Sequence, residues 1–135
     1  MINTMEDVIR EYGESFNWVR VSSDIHLSDD FIREFHENLH WTIMGRFLRL
    51  SEDIMREFES KVPFQVISEH QMLSESFIRD YQDKLYWMDI SRYQGFSRDF
   101  AVELISKINI ERFEKNSKIS DELKEEMKLL KTLVG

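Results

Sequence analysis

The chain repeats itself every 23 residues, and that period constrains its fold more than any other feature. Trp18, Trp41, Phe64, Trp87 and Ile110 fall at successive steps of 23, and Ser28, Ser51, Ser74, Ser97 and Ser120 keep the same step. An apolar residue precedes each serine (Leu27, Leu50, Leu73, Phe96, Ile119), and another follows three positions after it (Phe31, Ile54, Phe77, Phe100, Leu123). Val21, Met44, Ile67, Ile90 and Phe113 form a further column, as do Phe35, Phe58, Tyr81, Leu104 and Met127. So many columns in register, without an insertion, imply a stacked repeat architecture in which each unit buries its apolar face against its neighbours. A leucine-rich repeat has a similar period, but its L-x-x-L-x-L strand motif does not occur in this chain.

Each repeat reads as two short helices. The first begins near the tryptophan column, as in Trp87–Gln94, with Trp87, Ile90 and Tyr93 on one face. Ser22, Gly45, Ser68 and Ser91 form a column of small residues in it, which reads as a place where backbones pack closely. Trp18, Trp41 and Trp87 are expected to be buried; regular recurrence beside apolar columns favours core packing over a platform for stacking bases. The second helix begins at the serine, a preferred N-cap whose hydroxyl accepts a backbone N–H of the first turn. Acids follow at once, as Asp29 and Asp30 or Glu52 and Asp53, where the helix dipole favours negative charge. Leu27 with Ile32, Leu50 with Met55 and Leu73 with Ile78 have the spacing of a hydrophobic staple. Phe31, Ile32, Phe35 and Leu39 then form an apolar stripe at helical spacing.

The expected fold is therefore an all-α solenoid of short helical hairpins, one domain over residues 1–135. It divides into an N-terminal half-repeat cap (1–16), repeats at 17–39, 40–62, 63–85 and 86–108, and a degenerate C-terminal repeat (109–135). Residues 7–12 align with 30–35, so the cap carries only a second helix. Lys124, Glu125 and Lys131 occupy the columns of Ile32, Arg33 and Leu39, which suits a polar terminal repeat, and the chain reads as complete. Residues 24 to 26 and 46 to 48 depart from the pattern.

Composition narrows the function. Apolar residues make up 41% of the chain and aromatics 13%, enough for a packed core, and one Pro and four Gly leave no flexible linker. A net charge of −8 opposes direct binding to nucleic acid or an anionic membrane and permits binding to a basic protein surface. There is no cysteine, so thiolate metal sites and disulfides are excluded. The first residues lack the basic and apolar regions of a signal peptide, and no apolar run reaches the ~18 residues of a membrane span. A cytoplasmic protein is the expectation, with no cofactor.

Trp87-Met88-Asp89-Ile90-Ser91-Arg92-Tyr93-Gln94 and the segment from Leu73-Ser74-Glu75-Ser76-Phe77-Ile78-Arg79 to Leu85 resemble repeats found in proteins of large DNA viruses and bacteriophages. The resemblance covers residues 17–108. It implies a viral or mobile-element origin. A small acidic phage protein without enzymatic motifs is similar in kind to host-defence antagonists, anti-CRISPR proteins included.

Two charged columns run side by side on the second helices. One holds Arg10, Arg33, Arg56 and Arg79; the other holds Glu11, Glu34, Glu57, Asp80, Glu103 and Glu126. They read either as mutual pairs, including Arg33 with Asp30 and Arg56 with Asp53 at i, i+3, or as an acidic ridge for a partner. Charge is also uneven along the chain: residues 1–39 hold three basic and nine acidic residues, a net of −6, while 40–62 and 86–135 are each neutral. Concentrated acid can imitate a nucleic-acid backbone and steer a protein into a basic groove. The candidate partner-binding residues are Asp29, Glu34, Glu37, Glu57 and Asp80, and the expected function is non-catalytic inhibition of a basic, nucleic-acid-binding protein. A passive scaffold or oligomerisation module is the alternative within binding proteins.

One enzyme motif is present. His36-Glu37-Asn38-Leu39-His40 matches H-E-x-x-H, in which two His one helical turn apart bind zinc and the Glu acts as general base. The repeat register places His40 beyond the end of the helix carrying His36, at the junction filled elsewhere by Pro63, Tyr86 and Asn109. Glu59, the only third ligand suggested by count, shares the His36 column one repeat on. His26 and His70 have no partner pattern and read as surface residues. The register makes two predictions for denaturant unfolding. Ser74→Ala should lower stability by about 1 kcal/mol through the lost cap, and Phe77→Ala by about 3–5 kcal/mol through a core cavity; equal, small losses would contradict the burial assigned to Phe77.

Overall fold

The computed structural model describes residues 4–13, 16–24 and 26–134, and among these every regular element is an α-helix. In chain order they are α1 (Met5–Tyr12), α2 (Trp18–Asp24), α3 (Asp29–Phe35), α4 (Trp41–Phe47), α5 (Glu52–Glu57), α6 (Phe64–His70), α7 (Glu75–Asp80), α8 (Trp87–Tyr93), α9 (Arg98–Glu103), α10 (Ile110–Glu114) and α11 (Asp121–Val134). They gather into two compact units, Met1–Pro63 and Phe64–Gly135. In the first, α2 packs on α4; in the second, α6 packs on α8, α8 on α10, and α11 on both α10 and α9. Among the described residues no helix is long and apolar enough to cross a membrane.

Helices of six or seven residues have few backbone bonds of their own, because each end leaves up to four N–H or C=O groups unpaired. Side chains at fixed positions in the repeat supply the missing partners. The hydroxyls of Ser28, Ser51, Ser74 and Ser97 accept the N–H groups of Phe31, Ile54, Phe77 and Phe100 at 3.0–3.3 Å. Ser120 caps Leu123 at 3.2 Å, and Thr4 caps Asp7 at 3.1 Å one residue ahead of the serine column, which holds Met5 there. The caps also tie successive repeats together. Ser28 donates its N–H and hydroxyl to the Glu6 carboxylate, Ser97 does the same to Glu75, and the Ser51 hydroxyl donates to Asp29. After each second helix one further turn closes in the same way, with the N–H groups of Leu39, Val62, Leu85 and Ile108 bonded four residues back.

The apolar columns form the core. Ile9, Phe31, Ile32, Met44, Ile54 and Met55 are buried in the first unit, and Ile67, Phe77, Ile78, Ile90, Phe100 and Phe113 in the second. Phe35 is only half-buried. The tryptophan column departs from expectation in the same direction: Trp41 is buried, whereas Trp18 and Trp87 are half-buried. An indole packs its faces inward while its N–H must find an acceptor. Trp41 packs at a tilt against Phe58 at 5.2 Å and donates to the His36 carbonyl at 3.0 Å; Trp87 donates to the Gln82 carbonyl at 2.8 Å. These acceptors lie in the turns that follow the second helices.

The small-residue column also needs correction, because its serines act through hydrogen bonds and not only through size. Ser22, Ser68 and Ser91 are completely buried. Each accepts the backbone N–H eighteen residues on, from His40, Tyr86 and Asn109 at 2.9, 3.1 and 3.0 Å. Ser22 and Ser68 donate in turn to the carbonyls of Trp18 and Phe64. Glycine replaces serine at position 45, where the residue eighteen positions on is Pro63, which has no N–H to donate. A buried amide closes the other end of the first helix. Gln94 Nε2 donates to the carbonyls of Ser68 and Gln71 at 3.0 and 2.7 Å, while its Oε1 accepts the Leu73 N–H. Asn116 repeats this for Ser91 and Gln94, one residue earlier in register, at the end of the shorter α10.

The last repeat carries a linked pair of substitutions. Ile110 stands in the tryptophan column and cannot donate to the Ile105 carbonyl, the counterpart of those of His36 and Gln82. Lys131, in a column otherwise apolar, donates its ammonium to Ile105 at 2.8 Å and also to the Ile108 carbonyl. The polar residue at this end thus satisfies buried backbone as well as meeting solvent. For the serine column the expected outcome of Ser68→Ala is a loss of about 1–3 kcal/mol in urea unfolding, the penalty of stranding the buried Tyr86 N–H. A loss below about 0.5 kcal/mol would mean that the hydroxyl is only a spacer.

Candidate functional site

The arginine and acid columns meet because α1, α3 and α5 present them in succession in the first unit and α7 and α9 do so in the second. Arg10 Nε donates to Glu34 at 2.8 Å, Arg33 Nε to Glu57 at 2.8 Å, and Arg79 to both oxygens of Glu103 at 2.8 and 3.0 Å. Each bond spans 24 residues. Arg10 also reaches Asp7, and Arg33 reaches Asp30, at 3.2 and 3.0 Å. The guanidinium of Arg10 lies over the Phe31 ring at 5.5 Å and that of Arg79 over Phe100 at 5.2 Å, so each arginine docks on a carboxylate and a core residue together. The bond from Arg79 holds the Glu103 carboxyl below its ordinary range, and the bonds to Glu34, Glu57 and Glu103 raise the guanidinium values of Arg10, Arg33 and Arg79. Val102 interrupts the arginine column; Arg98, one turn earlier, pairs with Glu126 instead. Solvent screens exposed pairs of this kind, so they order the surface more than they stabilise the fold.

The five candidate partner-binding carboxylates are therefore not equivalent. Glu34 and Glu57 are bonded to Arg10 and Arg33, though they remain 49% and 44% exposed. Asp29 accepts the Ser51 hydroxyl. Asp80 is exposed at the last position of α7. Glu37 is exposed in the turn after α3 and has no ion-pair partner among the described residues. Glu11, at the head of the acid column on α1, is likewise exposed and unpaired among the described residues. On the first helices, burial pushes the Asp89 carboxyl up and Glu69 adds to the shift, against the opposing pull of Arg112 and His70.

The H-E-x-x-H residues straddle a helix end. His36 is the C-cap of α3, with φ −55° and ψ −29°, and His40 is the N-cap residue of α4, with φ −93° and ψ 99°. His36 packs its ring on Phe58 at 5.0 Å, and its Nδ1 is buried without a hydrogen-bond partner among the described residues. Glu37 and His40 are exposed. The two imidazoles thus do not share a continuous helix face. Among the described residues no three His, Asp or Glu side chains are grouped as a metal site. His26 and His70 are exposed.

A surface cleft of about 490 Å³ in the first unit has Arg10, Glu11, Tyr12, Trp18, Phe35 and Asn38 among its walls. The repeat columns gave no sign of it, since they record which positions pack and not where packing stops. Compared with family models, with characterised proteins and with solved structures, the chain matches none. For the histidines, the expected outcome of elemental analysis on protein purified without a His tag is far less than one equivalent of zinc. Stoichiometric zinc that disappears with His36→Ala would instead make His36, Glu37 and His40 a metal centre.

Proposed function

We propose that this chain is a non-enzymatic binding protein, a 23-residue helical-repeat solenoid whose acidic N-terminal residues dock on a basic, nucleic-acid-binding protein and occlude it. The observation that carries the reading is the charge of residues 1–39, three basic against nine acidic. Glu11 and Glu37 lie exposed there without an ion-pair partner among the described residues. Fields of one sign raise the on-rate toward an oppositely charged groove. The solenoid part of the proposal is supported by contacts that recur at 22, 24 and 18 residues inside each compact unit. The resemblance to repeats of phage and large-virus proteins supports the sharper form, an inhibitor of a host defence effector acting in the host cytoplasm without a cofactor.

A scaffold or oligomerisation role is favoured by a different observation. Leu133 and Val134 of α11 are 74% and 67% exposed and border a groove formed with Val102, Ile105 and Leu130. Concentration-dependent association lost on Leu133→Glu would support that reading.

The occlusion reading is tested with partner captured from host lysate on the immobilised chain. Excess DNA or RNA should elute it. Glu37→Lys should slow association several-fold, with a smaller salt dependence remaining. Reversing Asp29, Glu34 and Glu37 together should slow it further, although this also removes the Arg10 pair and the Ser51 bond. Unchanged capture by the triple variant, with its helical signal intact, would move the interface elsewhere and end the mimicry reading.

A further inference from the structure

We infer that the outer edge of α1 is a docking site for an arginine-bearing helix of a basic protein partner; this rests on the acidic-surface reading and narrows it to one face. Inside the first compact unit the same contact is made twice. Arg10 of α1 reaches Glu34 of α3, and Arg33 of α3 reaches Glu57 of α5, both at 2.8 Å. In the second unit Arg79 repeats it on Glu103, and there, as for Arg10, the guanidinium also covers a core phenylalanine. The receiving surface is thus defined: a carboxylate, with an apolar residue three positions before it. On α3 these are Glu34 and Phe31; on α1 the corresponding pair is Glu11 and Val8.

On α1 that surface is open. Val8 is only half-buried, whereas its counterparts Phe31, Ile54, Phe77 and Phe100 are 0–2% exposed. Met5 and Tyr12, on adjoining turns of the helix, are 52% and 56% exposed, and Glu11 has no ion-pair partner among the described residues. Met5 replaces the capping serine, so this edge lacks the hydroxyl that receives a carboxylate in the interior repeats and retains the part that receives arginine. A guanidinium suits it because it can bond a carboxylate while its flat face covers apolar surface.

Charge decides between a foreign helix and a second copy of this chain. The arginine column ends in Val102 and an exposed Glu125. Stacking the C-terminal edge of one copy on α1 of another would set Glu125 against Glu11, and like charges brought together in this way repel.

The test uses the full chain, isotope-labelled, and a synthetic peptide of residues 71–85, which carries Arg79 on the sequence of α7. Saturable shifts should centre on residues 5, 8, 11 and 12. Glu11→Gln in the protein, or Arg79→Gln in the peptide, should each weaken binding about tenfold, as expected for a lost charge-assisted bond. Glu11→Arg should abolish binding of the native peptide and restore binding of a peptide carrying Arg79→Glu. Absence of saturable shifts on α1, indifference to Glu11→Gln, or a dimer of the chain lost on Glu11→Gln would each overturn the proposal. If the α1 edge fails while lysate capture remains sensitive to Glu37→Lys, the acidic-surface reading stands without this site.

Discussion

The structure depends on supplying partners to the ends of very short helices. A six- or seven-residue helix is mostly ends, and burying such ends unpaired is destabilising by about 1–3 kcal/mol per group. The chain meets this with the buried hydroxyls of Ser22, Ser68 and Ser91 and the buried amides of Gln94 and Asn116. Ser68 and Ser91 receive the N–H groups that open the next repeat, and Gln94 and Asn116 bond the carbonyls that close first helices. These bonds run between repeats, so each helix is completed by its neighbour.

The same requirement accounts for the places where the pattern breaks. Gly45 stands in the serine column opposite a proline that has nothing to donate. Lys131 stands in an apolar column where Ile110 has removed the indole donor, and its ammonium serves the orphaned carbonyls. Each exception follows from the loss of a donor or an acceptor at a second, distant position. Degeneracy at the C-terminal end is therefore in part compensation and not simple loss of the repeat.

The charged columns follow a parallel rule. Arginine of one repeat engages glutamate of the next inside both compact units, which leaves these ridges largely self-neutralised. The surface that stays acidic includes Glu11, which has no ion-pair partner among the described residues, and Glu37, a carboxylate that a turn lifts off the column. The uneven net charge of the chain is thus a local property of its first helices and their turns. The H-E-x-x-H residues straddle a helix boundary in this arrangement, His36 closing one helix and His40 opening the next.

The period, the serine caps and the apolar columns were legible in the sequence because each is a local rule repeated in register. Ser28, Phe31 and Ile32, or Ser74, Phe77 and Ile78, state helix start and core within five residues. The i, i+3 pair of Arg33 with Asp30 was legible for the same reason. Direction and partner were not. Whether Arg33 also turns to Glu57 and whether Ser68 is a spacer or an acceptor depend on groups 18 to 24 residues away. Sequence by itself determined which residues recur, and so which helices form and which faces are apolar. Only tertiary structure decided which polar groups meet, because a hydrogen bond needs its two atoms about 3 Å apart, a distance set by how one repeat packs on the next.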